Sequence, residues 1–164
     1  MQLIADRDGD LELTPPEKSI EQIQRELVEQ FNQYDNWKAR YKLLIDMGKQ
    51  LQNLPEAYKT EANRIHGCQS QVWLHTQEKD GRLYFQGTSD AAIVAGLVAL
   101  LLAIYNGRKP EEILKAPLDF LKEMGLLQHL SPNRANGLYH MIKRIQKEAK
   151  QALIRQIKAQ QRSG

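Results

Sequence analysis

Residues 71–105 read QVWLHTQEKDGRLYFQGTSDAAIVAGLVALLLAIY, and in this one stretch the hydrophobic period changes from two to helical. Val72, Leu74 and Thr76 alternate with Gln71, Trp73 and His75, which places the first set on one face of a strand. Asp80-Gly81 follows, a pair that tolerates the positive φ angles of a two-residue hairpin turn, and residues 82–86 supply the returning strand. Thr88, Ser89 and Asp90 then offer side-chain oxygens to the free N–H groups of a helix start. Residues 91–105 are almost wholly apolar and only 15 long, too short to span a membrane, so they predict a buried core helix. A hairpin running into a core helix makes the chain α+β.

Outward from this stretch the pattern is helical. Asn106-Gly107 ends the core helix, Pro110 opens a short helix to Lys115, and residues 117–124 predict another that stops at Gly125. Ser131-Pro132 pairs an N-cap with a first-turn proline, and Leu138, Met141, Ile142, Ile145, Ala149 and Leu153 then share one helical face. Upstream, Ile20, Ile23, Leu27, Val28 and Phe31 predict a helix over residues 16–33. Asn36 caps a second over 36–52, with Trp37, Tyr41, Leu44, Ile45, Gly48 and Leu51 on a common face. Residues 56–62 suit a short helix, and Gly67 marks residues 63–69 as a loop. The expected architecture is a small antiparallel β-sheet packed against several helices. Residues 1–14 lack periodicity and read as a mobile arm, 15–150 as the domain, and 151–164 as a basic C-terminal helical extension.

Composition narrows the function classes. A hydrophobic fraction of 41% and a charged fraction of 26% fit a globular chain and neither disorder nor a membrane protein. The 23 basic residues exceed the 20 acidic ones by three, too few to call for a nucleic-acid partner. Lys147, Lys150, Arg155, Lys158 and Arg162 do gather on the last helix, where a solvated face is the ordinary reading and an acidic partner or RNA the sharper one. The N-terminal residues show no basic segment followed by an apolar run, so a cytoplasmic location is expected, with no membrane. No phosphate-binding glycine loop, HExxH or GxSxG is present.

The single cysteine, Cys68, excludes an internal disulfide and any metal site built from several thiolates of this chain. It follows Gly67 in a loop directly ahead of a strand, where a partner's active site can reach it. One thiolate is enough to attack the outer sulfur of a persulfide on another protein. Two other readings compete: a small buried hydrophobe, the commoner fate of a lone cysteine, and a thiol hydrolase pairing Cys68 with His66, His75, His129 or His140.

The run Gly67-Cys68-Gln69-Ser70-Gln71-Val72-Trp73 resembles the SufE and CsdE family of sulfur acceptors. Two further blocks agree in order and spacing, residues 87–97 (GTSDAAIVAGL) and 128–138 (QHLSPNRANGL), so the resemblance covers about residues 20–146. It implies a fold similar to the iron–sulfur scaffold proteins, with Cys68 as the sulfur acceptor tucked into an apolar pocket until a partner docks. Gly67, Gln69, Ser70, Gln71 and Trp73 are implied to form its loop. Asp90 and Arg134 are implied near that loop or at the partner contact, against plainer readings as helix cap and solvated charge, and His129 belongs to the same pattern with no role assigned. The implied partners are a cysteine desulfurase, whose pyridoxal phosphate is not a cofactor of this chain, and a downstream iron–sulfur scaffold complex. An activator that binds the desulfurase without accepting sulfur is the alternative. His66 stands where glutamine is common, and the basic extension lies beyond the resemblance.

Overall fold

The computed structural model describes residues 13–163. The expected mobile arm, 1–14, therefore lies outside the described residues except for Leu13 and Thr14. Helices α1 (Ile20–Asn32) and α2 (Trp37–Lys49) lead through a 3₁₀ turn (Glu56–Tyr58) to strands β1 (Val72–Lys79) and β2 (Arg82–Ser89). Helices α3 (Ala92–Tyr105), α4 (Pro110–Lys115), α5 (Asp119–Glu123), α6 (Leu126–His129) and α7 (Pro132–Ser163) follow. The fold is α+β, as the change of period predicts, and among the described residues no helix is long and apolar enough to cross a membrane.

The two strands pair antiparallel from Val72↔Ser89 to Lys79↔Arg82, closed by Asp80 (φ 53°) and Gly81 (φ 78°), the positive angles that keep the turn in step with strand twist. Single bridges extend both edges of the hairpin, Arg64 to Trp73 and Arg108 to Leu83. Helix α3 is the centre of the core. Leu97, Leu100, Leu101 and Ile104 are fully buried on it, each contributing about 1.5–3 kcal/mol of hydrophobic stabilisation. Helix α2 lies against α3 closely enough that a Cβ at Gly96 would stand 2.2 Å from the Leu44 carbonyl oxygen, so glycine there is required by backbone approach.

Several boundaries differ from expectation. Helix α1 starts at Ile20, not at residue 16, because Ser19 and Gln22 form a reciprocal capping box, with Ser19 Oγ accepting from Gln22 N at 3.1 Å and Gln22 Oε1 from Ser19 N at 2.9 Å. Residues 56–62 make only the 3₁₀ turn. Pro117 stays outside α5, its carbonyl accepting from Gln24 Nε2 at 2.9 Å. Ala91, not Asp90, is the N-cap of α3, and Ser89 Oγ accepts from Ala91 N at 3.2 Å. Asp90 is turned elsewhere, as described below.

Helix α7 runs 32 residues, about 48 Å at 1.5 Å per residue, and continues unbroken past residue 150. Ala152 is fully buried, Arg155 pairs with Glu78 at 3.3 Å, and Gln156 Nε2 donates to the Gly81 carbonyl at 3.2 Å. Lys147, Lys150, Lys158 and Arg162 lie exposed along its outer side.

Candidate functional site

Residues 66–71 form a six-residue loop closed at its base by backbone bonds. Ile65 N donates to the Val72 carbonyl at 2.9 Å, and Leu74 N to the Asn63 carbonyl at 2.8 Å. Cys68 sits in this loop, half-buried and free of any disulfide. Gly67 turns the chain at φ 89°, an angle that costs an L-residue roughly 1 kcal/mol or more.

The first two turns of α7 receive the loop. Asn133, Asn136, Gly137 and His140 recur at three- and four-residue spacing, so all four face the same way. Asn133 Nδ2 donates to Gln69 Oε1 at 2.9 Å, and Asn136 Nδ2 to the Gly67 carbonyl at 3.1 Å. The imidazole of His140 lies on Gly67, where a Cβ would meet Nε2 at 2.5 Å. Gly137, buried in a helix interior where glycine costs about 1 kcal/mol of propensity, leaves room for the thiol: a Cβ there would stand 3.6 Å from Cys68 Sγ. The thiol also lies 3.8 Å from the Gly137 carbonyl. Loop and helix thus meet through one glycine each, Gly67 under His140 and Gly137 under Cys68.

Asp90 holds the far end of the loop. Its Oδ1 accepts from Gln71 N at 3.0 Å, and its own N–H donates to the Gln71 carbonyl at 3.3 Å. The near end is held through Arg64, whose carbonyl accepts from Arg144 at 3.2 Å, while Arg144 is braced by Glu148 at 3.0 Å. The Arg64 and Lys59 cations stand 5.9 and 5.7 Å from the ring centre of Trp73. Burial pushes the Cys68 thiol above its ordinary pKa, and the positive charge of Arg64 opposes that shift. The resting thiol is therefore mostly protonated at neutral pH.

Of the residues singled out from sequence, Gly67, Gln69, Gln71 and Asp90 come together with Cys68 in this geometry, and Trp73 lies beside the loop base. Ser70 is half-buried and makes no side-chain hydrogen bond among the described residues. Arg134 occupies the same first turn of α7, its N–H donating to Ser131 Oγ at 3.3 Å and its side chain exposed without a partner among the described residues. His129 belongs to another cluster: its ring stacks on Trp37 at 4.2 Å and its carbonyl accepts from Tyr41 Oη at 2.7 Å. Of the histidines suggested for a thiol hydrolase, His140 packs on Gly67 of the Cys68 loop and the other three are engaged elsewhere. His66 meets Glu61 at 2.6 Å, His75 stacks on Tyr58 at 3.7 Å, and none is hydrogen-bonded to Cys68 among the described residues. The roles of Arg64, Asn133, Asn136, Gly137 and His140 escaped the sequence reading; a glycine directly after Asn136 on an otherwise continuous helix was the available signal.

Residues 25–149 match the family described as SufE, the Fe-S metabolism associated domain. An uncharacterized SufE-like protein of Rhizobium meliloti is 45% identical over 129 residues, which cover 76% of this chain and 92% of that protein. An uncharacterized SufE-like protein of Synechocystis is 42% identical over 123 residues, 75% of this chain and 77% of the relative. Among solved structures, the solution structure of a hypothetical protein from Thermus thermophilus superposes with a TM-score of 0.67 at 24% identity, covering 80% of this chain and 96% of that one, a likeness of fold.

Proposed function

The chain belongs to the SufE family, associated with Fe–S metabolism, and from that premise we propose that it is a sulfur acceptor that takes persulfide sulfur from a cysteine desulfurase onto Cys68. It relieves the desulfurase of its product, so stimulating it, and passes the sulfur on to an iron–sulfur scaffold complex. The observation that carries this reading is the seat of Cys68: a lone thiol at a loop tip, held against α7 by a few non-covalent contacts and, among the described residues, without a hydrogen-bonded base. Such a thiol is protected at rest and reactive once the loop leaves Gly137.

In the transfer the Cys68 thiolate attacks the outer sulfur of the desulfurase persulfide. A new S–S bond forms at Cys68 Sγ, the donor's S–S bond breaks, and the donor cysteine leaves as thiolate. The proton shed by Cys68 passes to solvent or to the leaving thiolate, and no external oxidant or reductant is needed. Release from the half-buried seat removes the desolvation that raises the thiol pKa, and Arg64 then favours the anion. Pyridoxal phosphate stays on the desulfurase and this chain contributes no cofactor. Asp90, Arg134 and Trp73 border the loop and form the docking surface of this reading. The reaction takes place in the cytoplasm, where thiols are kept reduced.

The test is intact-protein mass after incubation with L-cysteine and a cysteine desulfurase without reductant, beside a Cys68→Ser chain. Added sulfur on the native chain alone, with stimulation lost in Cys68→Ser while the complex still forms, supports transfer. Stimulation that survives Cys68→Ser points instead to an activator that carries no sulfur.

A further inference from the structure

One side of α7 carries Ile145, Ala149 and Ala152 into the core. The opposite side faces solvent, and Ile154 stands on it, about 200° of helix rotation on from Ala152. Lys147, Lys150, Ile154, Ile157 and Gln161 line up along that side at alternating spacings of three and four, the repeat of a seam between two helices. The seam is about 21 Å long at 1.5 Å per residue. All five side chains are exposed, Ile154 at 44% and Ile157 at 46%. The ion pairs of this part of α7, Arg144 with Glu148 and Arg155 with Glu78, run along one flank and leave Lys147, Lys150 and Lys158 without a carboxylate among the described residues. A single exposed isoleucine is ordinary. Here two occupy consecutive seam positions in line with two lysines, and both lie beyond residue 149, where the match to the family ends.

Whatever covers this face must offer apolar groups to one half and negative charge to the other. Residues 143–162 hold seven basic side chains and one acidic, Glu148, so a second copy would crowd like charges onto one seam. Nucleic-acid phosphates would answer the lysines and leave the isoleucines wet. A bilayer takes a helix whose inserted face is apolar along its whole length with cations at the edges, whereas Lys147 and Lys150 hold the centre line here. We propose that this face of α7 binds an acidic amphipathic helix of another protein, which sets apolar side chains against Ile154 and Ile157 and carboxylates against Lys147 and Lys150. Lys158, beside the isoleucines, meets the partner's polar rim. The surface stands apart from the Cys68 chemistry and holds whether or not sulfur is transferred.

The test is an NMR titration of the full chain with a synthetic helical peptide of about three heptads, leucine at the seam positions of one half and glutamate at those of the other. It is made in both orders, so that parallel and antiparallel pairing are each offered. Shift changes are expected along residues 147–161 and not in the Cys68 loop, with a Kd below about 100 μM for one of the two peptides. Ile154→Ser with Ile157→Ser should weaken binding about tenfold or more, and so should Lys147→Glu with Lys150→Glu. A peptide with lysine in place of glutamate should recover the charge-reversed chain. All four positions are exposed, and unchanged α3 resonances check that each variant keeps the fold. Weaker binding by both peptides overturns the proposal, as does binding that charge reversal leaves unchanged or that the lysine peptide fails to recover. Tighter binding to polyuridine RNA or to phosphatidylglycerol vesicles also overturns it, and so does dimerisation of the native chain that is lost in the double-serine variant.

Discussion

Gly67→Ala tests the seat of Cys68 directly. An alanine at φ 89° costs roughly 1 kcal/mol. Its Cβ would also lie 2.5 Å from His140 Nε2, about 1 Å inside ordinary contact, and overpacking of this kind costs about 1–3 kcal/mol. His140 is only half-buried and its ring can swing partly aside, so the lower end applies and the sum is about 2 kcal/mol. The strain exists only while the loop is tucked, so it shifts the loop toward release by about thirtyfold, at 1.4 kcal/mol per decade. The assay is the rate of Cys68 alkylation by excess iodoacetamide at fixed pH, normalised to the unfolded chain. Against a His140→Ala background the clash is absent and Gly67→Ala should add only about fivefold, the cost of the backbone angle. A thirtyfold effect in both backgrounds would refute the contact between His140 and Gly67. No effect in either would refute the tucked loop.

Three further outcomes are expected. Arg64→Gln removes the charge that opposes burial, so the Cys68 titration followed by thiolate absorbance should move to higher pH, and a downward shift would contradict the arrangement. Asp90→Ala deprives Gln71 N of its acceptor and should raise Cys68 alkylation about fivefold for a bond worth about 1 kcal/mol, whereas Asp90→Asn retains an acceptor and should stay near the native rate; equal rates for the two variants would dismiss the bond. Burial holds the His75 pKa below its ordinary value, so the folded state favours the neutral ring. Its contribution is complete above the unfolded value of about 6.5 and is lost as pH falls toward the depressed folded value, and urea midpoints across that window should fall less in His75→Gln than in the native chain.

Local chemistry explains what was legible in advance. Alternation in 72–76 with Asp80-Gly81 predicts the hairpin because strand facing and turn angles are properties of neighbouring residues. The apolar run at 91–105 likewise becomes the buried helix α3. Where a distant group competes for a local signal, local chemistry stops short. Asp90 has the chemistry of a helix cap, and only the resemblance put it near the loop, where Gln71 brings an N–H within 3.0 Å of its carboxylate. His129 sits inside a familiar block of sequence that assigns it no role, and Trp37, 92 positions upstream, stacks on its ring.

Short contiguous runs of residues were enough for the α+β class, the loop that carries Cys68 and the family resemblance, since each is written between near neighbours. What Cys68 rests on emerges only from packing. Its partners Asn136 and Gly137 join the Gly67–Cys68 segment across 69 positions in each case. Taken alone, Gly137 is a weak point in a helix and His140 an ordinary helical histidine. They become a seat because the start of α7 packs against the loop, and contacts between segments so far apart leave no periodic trace in either segment.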